Sequence, residues 1–244
     1  MTTRMMGRLS MPIDDKRRRE IEAELARQLS YFSASTRRQI MELIGDPPSL
    51  DKLTPEVYRE LAIGFNGILG FSLEQTFIEA SNALMENIGF YGVSTDLINE
   101  GAVNWARSYV PAVVDKMIDF REVQTQQYIV DYYEGKYDFA GLEKRVARLY
   151  GPDKASQIAM TETTRAANEG QRPVIEELES EGVVMRGVFQ TVSDGFVCPI
   201  CAPLNGEVST VTGFDTQFFS GDKSFRMPPL HVGCRCLVSY EYQE

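Results

Sequence analysis

The chain has 244 residues and a net charge of −10, and 43% of its residues are hydrophobic. This length and composition predict one or two soluble globular domains, and the acidic balance argues against a protein that binds nucleic acid over its whole surface. There is no run of 18 apolar residues and no apolar signal segment near the N-terminus. We therefore expect no membrane span, no membrane contact and folding in a reducing cytoplasm.

The charge is unevenly distributed along the chain. Residues 1–40 contain nine Lys or Arg and five Asp or Glu, a net of +4, which leaves −14 for the remainder. Four successive cations lie in the stretch DDKRRRE (14–20): Lys16, Arg17, Arg18 and Arg19. The stretch fits the solvated face of a helix that Asp14 or Asp15 caps. The alternative is a basic arm that contacts double-stranded DNA or an acidic partner.

The first two-thirds of the chain is predicted to be helical. An apolar stripe at spacings of four, four and three marks the first helix: Ile21, Leu25, Leu29 and Phe32. The proline pair of GDPPSL (45–50) ends it, and TPEVYREL (54–61) begins the next helix with a threonine cap. The glycines of GFNGILGFS (64–72) suggest a turn packed between helices.

Further helices are expected over 73–88, 95–130 and 151–182, with Pro111 beginning a new helix or kinking the second of these. The aromatic run between 128 and 139 is typical of a core or an interface.

The pattern changes to short strands after Gly182. The segment 183–192 is rich in β-branched and aromatic residues, and Asp194-Gly195 predicts a hairpin that returns through FVC (196–198). The segments 208–214 and 234–242 also look extended, and SGDKS (220–224) between them is expected to be a turn or loop. The predicted fold class is therefore α+β, a mainly helical N-terminal body with a small C-terminal β-containing Cys/His subdomain.

All four cysteines and the only histidine lie between residues 198 and 236. They form two short groups, Cys-x2-Cys and His-x2-Cys-x-Cys: Cys198, Cys201, His231, Cys234 and Cys236. A structural zinc site requires four tetrahedral ligands of this kind, and two chain segments can supply two each. On an extended strand Cys234 and Cys236 would point to the same face, so the residues offer five candidates for four positions.

Two other interpretations of the cluster remain open. Disulfides or free structural thiols are the main alternative to zinc, and Cys-x-x-Cys redox chemistry is the other. A redox motif needs a strand–helix context, whereas Pro203 and Gly206 follow closely here. A catalytic metal is disfavoured because protein ligands can fill every position and no acid or base is marked beside them, so we do not expect an enzyme.

Two stretches, TVSDGFVCPICAPLNGEV and MPPLHVGCRCLVSY, resemble the C-terminal motif of the Mu F-like minor head proteins of tailed bacteriophages, also called head-morphogenesis proteins. The matching residues are Asp194, Cys198, Cys201, Leu204, Gly206, Pro228, Pro229, His231, Cys234, Arg235 and Cys236. A family helix with Thr-Glu and Asn-x-Gly is similar to MTETTRAANEGQ (160–171). The resemblance implies that this helix face docks on the Cys/His subdomain, and that four residues support the subdomain: Glu162, Arg165, Asn168 and Asp194.

The resemblance also implies a domain organisation and a function. Residues 1–138 would be a helical region that makes partner and portal contacts, and residues 139–244 would be the head-morphogenesis domain. The chain would be a minor capsid protein of a bacteriophage virion that acts in head morphogenesis and viral assembly, and in DNA packaging or delivery. Its partners would be the portal protein and a capsid or scaffold protein, with double-stranded DNA a candidate through the basic arm.

The expected location is the host cytoplasm during assembly, then the procapsid and virion head near the portal vertex. Relatives with an extra toxin or enzyme domain carry it beyond the motif, and we expect none here because only eight residues follow Cys236. Two other functions stay open at this point, a metal-dependent enzyme and a DNA-binding zinc module. The DNA-binding module is disfavoured because residues 198–236 contain three acidic and three basic side chains, so the cluster has no excess of positive charge for phosphate groups.

Overall fold

The computed structural model describes residues 13–192 and 197–242, and the predicted Asp194-Gly195 hairpin and the role of Asp194 lie outside them. Six helices precede the strands in chain order: α1 Asp15–Ile44, α2 Pro55–Ile88, α3 Thr95–Tyr133, α4 Phe139–Leu149, α5 Pro152–Glu169 and α6 Arg172–Ser180. Five strands follow: β1 Met185–Gln190, β2 Val208–Thr212, β3 Phe218–Ser220, β4 Lys223–Phe225 and β5 Leu237–Tyr242. The predicted α+β class, with a helical body and a small β-containing Cys/His subdomain, is confirmed.

The glycine-rich stretch 64–72 is helix, and the turn predicted there is wrong. It lies inside α2, where apolar residues four apart are buried on one face: Leu61, Phe65, Leu69 and Leu73. This burial outweighs a helix penalty of about 1 kcal/mol for each glycine. Gly64 also has a packing role, because a Cβ there would lie 2.2 Å from the Phe32 ring.

The prediction that Pro111 begins a new helix is also wrong, because α3 is one helix from Thr95 to Tyr133 with Pro111 inside it, while a kink there stays a prediction. In the part of the chain that the structure describes, α2 is long and apolar enough to cross a membrane by length and composition alone. The core helix of a globular protein passes the same test, so this is weak support for a span. The absence of a membrane contact stays a prediction.

The described residues form two compact units, and neither unit is continuous in sequence. The first contains the described residues up to Ile21, Leu73–Asn104, and the described residues from Met160 onward. The second contains Glu22–Ser72 and Trp105–Ala159. The predicted boundary between residues 138 and 139 falls inside the second unit, at the start of α4.

The first unit contains a three-stranded antiparallel sheet in the order β2-β1-β5. Strand β1 pairs with β5 over its full length, from Met185 opposite Tyr242 to Gln190 opposite Leu237. Alternate β1 side chains are buried, and the Phe189 ring meets the Phe218 ring edge to face at 5.3 Å. The sheet therefore packs one face into a core that also includes Cys201, Cys234 and Cys236 among its buried residues.

The turn predicted within 220–224 is confirmed, since it joins β3 and β4 in a short hairpin. Two other local predictions about the subdomain need correction. The return strand predicted to start at FVC (196–198) is not found at Val197 or Cys198, and Cys198 leads into a turn. Cys234 and Cys236 precede β5, which starts at Leu237, because the turn through Gly233 with φ +76° redirects the chain before them.

Candidate metal centre

Two turns of the same construction carry four of the five Cys/His residues. In the first, the Cys201 N–H donates to the Cys198 carbonyl at 3.1 Å, and the same N–H lies 3.4 Å from the Cys198 sulfur. In the second, the Cys234 N–H donates to the His231 carbonyl at 3.1 Å. Each x2 spacing therefore closes a tight turn that places two potential ligands side by side.

The two turns meet, so residues about 30 positions apart in sequence share one site. The Cys198 sulfur lies 2.9 Å from His231 Nε2, and the Cys201 sulfur lies 3.4 Å from the same nitrogen. The Cys201 and Cys234 sulfurs are 3.9 Å apart. Two thiolates bound tetrahedrally at about 2.3 Å from zinc would lie about 3.8 Å apart, so this sulfur pair already has the spacing of two ligands.

All five predicted residues belong to groups that could hold a metal ion. Cys198, Cys201 and His231 have their ligand atoms within 4.8 Å of one another, and so do Cys201, Cys234 and Cys236. Cys201 is common to both groups and therefore lies at the centre of the cluster. No disulfide links the four cysteines in this structure, whereas free structural thiols stay an alternative to a metal site.

The site is small, with three buried cysteines and with Cys198 and His231 half-buried at its edge. Cys201 and Cys234 are each 1% exposed and Cys236 is 5% exposed, and the cavity between the turns has a volume of about 30 Å³. Such a space accommodates one ion or one water molecule. No carboxylate lines the cavity within the described residues.

Hydrogen bonding among the sulfurs shifts the pKa values of Cys234 and Cys201 in opposite directions. Hydrogen bonds from the Cys201 and Cys236 thiols lower the pKa of Cys234 far below its usual range. Hydrogen bonding with Cys234 and Cys236, followed by burial, raises the pKa of Cys201. A cation that binds these sulfurs must displace the protons that they carry.

The orientation of His231 suits a ligand that binds through Nε2. Its Nδ1 lies 2.9 Å from the Val232 carbonyl, which can accept only if Nδ1 carries the proton. Nε2 then presents its lone pair toward the sulfurs of Cys198 and Cys201.

Helix α5 forms a hydrogen bond with the second turn. Thr161 Oγ1 accepts a hydrogen bond from the Gly233 N–H at 2.8 Å. Gly233 has φ +76°, a conformation that side chains disfavour, so glycine is required between His231 and Cys234. Sequence reasoning missed Gly233, although a glycine inside an x2 ligand spacing is a signal that could have identified it.

Asn168, one of the predicted support residues, lies on the side of α5 that contacts the subdomain and is fully buried. Its Oδ1 accepts from the Val238 N–H at 2.9 Å, and its Nδ2 donates to the carbonyls of Thr164, Pro228 and Cys236 at 3.0, 3.2 and 3.4 Å. Gln171, which sequence reasoning did not single out, donates to the Val238 carbonyl at 3.0 Å. These amides satisfy backbone groups of the strand that follows the cluster.

The other two described support residues pair with each other. Arg165 Nε lies 3.6 Å from Glu162 Oε2 on α5, at the predicted spacing of three, and the Glu162 residue is 8% exposed. Gly170 at the end of the same motif permits a close approach, because a Cβ there would lie 2.3 Å from the Phe77 carbonyl oxygen.

The basic stretch at the start of α1 is held by carboxylates and by the subdomain. Arg18 is 0% exposed, donating to Asp15 at 2.5 Å and to the Arg235 carbonyl at 3.2 Å. A buried guanidinium does not face a phosphate group, so the predicted DNA or partner contact is wrong for Arg18. Arg17 is exposed but forms a bidentate pair with Glu79.

The remaining two cations of the stretch are exposed. Arg19 pairs with Asp15, while Lys16 lies on the solvent side of the helix. For these residues a contact with DNA or a partner stays a prediction.

Comparison of the chain with protein-family models, with curated proteins and with solved structures finds no match.

Proposed function

We propose that the Cys/His cluster holds one structural zinc ion. The proposed ligand set has four members: Cys198, Cys201, His231 and Cys234. The observation that carries the proposal is the meeting of two matched turns at a small cavity of about 30 Å³. Soft sulfur and imidazole donors favour zinc over hard cations, and the small volume favours one ion over an iron–sulfur cluster.

Cys236 is assigned to a supporting role beside this ion. Its sulfur lies near those of Cys201 and Cys234, while its carbonyl accepts a hydrogen bond from Asn168. A thiol in that position donates a hydrogen bond to a metal-bound sulfur and stabilises its charge.

The zinc would serve folding in this proposal. Four protein donors complete a tetrahedral shell, whereas a catalytic ion keeps one position for water and works beside an acid or base. The ion would cross-link two segments about 30 residues apart in sequence and so contribute to the stability of the first unit.

For the whole chain, we propose a non-enzymatic assembly role as a minor head protein of a tailed bacteriophage that contacts the portal vertex. The two-part motif with its paired prolines supports this assignment, as does the helix motif at 160–171. In the proposal the chain folds in the host cytoplasm and joins the procapsid, and its helical parts make the protein contacts.

Two experiments test the metal assignment and the assembly role separately. Protein purified under reducing conditions should contain one zinc ion per chain, and a well-folded sample with a ratio near zero would refute the metal assignment. Co-expression with the portal protein encoded in the same genome should yield a complex that survives co-purification. A folded, zinc-loaded protein that neither binds portal nor occurs in procapsids would refute the assembly role alone.

A further inference from the structure

A second concave surface lies in the second unit, between α1 and α4, far in sequence from the Cys/His cluster. Its volume is about 440 Å³, and we call it the basic groove. Three cations line it, and we call them its sides: Arg37, Arg38 and Lys144. Three apolar or small side chains also line it, and we call them its floor: Met41, Ala140 and Ala147.

The three cations are exposed and have no internal partner. Within the described residues no ion pair and no side-chain hydrogen bond involves Arg37, Arg38 or Lys144, whereas Arg17 and Arg19 are each held by carboxylates. Glu143 is the one acid among the described residues that line the groove. In a chain of net charge −10, this local excess of positive charge attracts an anionic partner.

The floor of the groove indicates which anionic partner fits. Ala140 and Ala147 are seven residues apart on α4, so they lie on one face about two turns apart, with Lys144 between them. Arg37 and Met41 are four apart on α1 and follow the groove in the same way. The small side chains at both positions leave room for side chains of another helix on either side of Lys144.

We infer that the basic groove binds an acidic amphipathic helix of a partner protein. The apolar side of that helix packs on Met41, Ala140 and Ala147, and its carboxylates pair with the cations of the sides. A nucleic-acid backbone would use the cations but gains nothing from an apolar floor. The inference does not depend on the metal or on the role in head assembly.

The test uses the full-length protein and a fluorescent synthetic peptide of about 18 residues, with leucines along one helical face and glutamates beside them. We expect binding that weakens as NaCl is raised, because the paired charges are exposed. Combined replacement of Arg37, Arg38 and Lys144 by Ala should weaken binding about tenfold, since three exposed ion pairs are lost. Ala147→Glu should weaken it as well by placing a carboxylate on the floor.

Matched controls separate the groove from general charge. Arg107→Ala combined with Lys116→Ala removes two exposed cations of the same unit outside the groove and should leave binding unchanged. A peptide with serine for every leucine should bind at least tenfold more weakly if the floor contributes. The inference is overturned if the glutamate peptide fails to bind, if the serine peptide binds equally well, or if a DNA duplex binds more tightly and loses that binding in the triple variant.

Discussion

Asn168 Oδ1 accepts a hydrogen bond from the Val238 N–H at 2.9 Å, and through this bond α5 holds the strand that follows the Cys/His cluster. The same amide donates to the Cys236 carbonyl, two residues earlier in the chain. Asn168 is fully buried, so water cannot replace the side chain if it is removed. A single residue of the helical body thus fixes both the end of the ligand-bearing segment and the start of β5.

Replacing Asn168 by Ala should lower the free energy of unfolding by about 2–3 kcal/mol, because a buried backbone N–H and its neighbouring carbonyls lose their partner. Urea titration followed by circular dichroism measures this change. Asn99→Ala is the matched control, because Asn99 is an exposed asparagine on a helix of the same unit. Equal effects of the two substitutions would show that the Asn168 hydrogen bonds contribute little.

The division of roles between Cys234 and Cys236 gives a second prediction. Cys234→Ser should reduce bound zinc well below one ion per chain, because it removes a proposed ligand. Cys236→Ser should keep the ion, since it exchanges one hydrogen-bond donor for another. Elemental analysis of the purified variants measures the ratio, and thermal unfolding with and without a chelator measures the linked stability.

The reverse pattern, with zinc retained in Cys234→Ser and lost in Cys236→Ser, would make Cys236 the fourth ligand. Loss of zinc from both variants would show that zinc binding requires both thiols.

The ion pair between Asp15 and the buried Arg18 gives a pH-dependent prediction. Burial opposes the charge of Asp15, but hydrogen bonds and charge from Arg18 and Arg19 outweigh it and lower the pKa of Asp15. A carboxyl whose folded-state pKa is lowered contributes stability above its unfolded pKa, near 4, and loses that contribution as pH falls through the folded value. Asp15→Asn mimics the protonated state at every pH.

We therefore expect Asp15→Asn to lower the free energy of unfolding by about 1–2 kcal/mol at pH 7, less than for a fully buried pair because Asp15 is partly exposed. The difference in the free energy of unfolding between the Asp15→Asn variant and the natural protein should become smaller below pH 4. Urea titrations at pH 7, 5 and 3 measure it, with Asp14→Asn as a neighbouring control. A difference that stays constant down to pH 3 would contradict the assigned ion pair.

The cluster could be predicted from the sequence because its ligands are rare residues at short spacings, and short spacings fix local geometry. The x2 intervals of Cys198-Cys201 and His231-Cys234 each specify a tight turn without information from elsewhere in the chain. That the two turns meet was predicted only because the chain has no cysteine or histidine outside them and Cys236. Whether Cys234 or Cys236 is the fourth ligand depends on the residue at which β5 begins. The local sequence pattern did not predict that residue.

The errors have a common physical origin in contacts between distant segments. Gly64, Gly67 and Gly70 are poor helix formers, and burial of the leucines and phenylalanine beside them overrides that preference. Arg18 has the sequence context of a solvated face, yet a carbonyl 217 residues away accepts its hydrogen bond. Propensity and periodicity contain no information about such partners.

The second unit contains a buried charge that no carboxylate balances among the described residues. Arg121 is 3% exposed, and its guanidinium lies 4.4 Å from the Phe65 ring centre and 4.8 Å from the Tyr150 ring centre. Its Nη1 has no hydrogen-bond partner within the part of the chain that the structure describes. Burial lowers the pKa of Arg121, which reflects the cost of keeping this cation out of water.

Arg121→Met should therefore leave the protein folded and raise its free energy of unfolding by about 1 kcal/mol, because the apolar stem is kept and the uncompensated charge is removed. Arg121→Glu should destabilise it, since the rings would face a buried anion. Arg107→Met, at an exposed position of the same unit, is the control and should change little. Urea titration decides the sign: if Arg121→Met loses more than about 1 kcal/mol, attraction between the cation and the two rings outweighs the cost of burial.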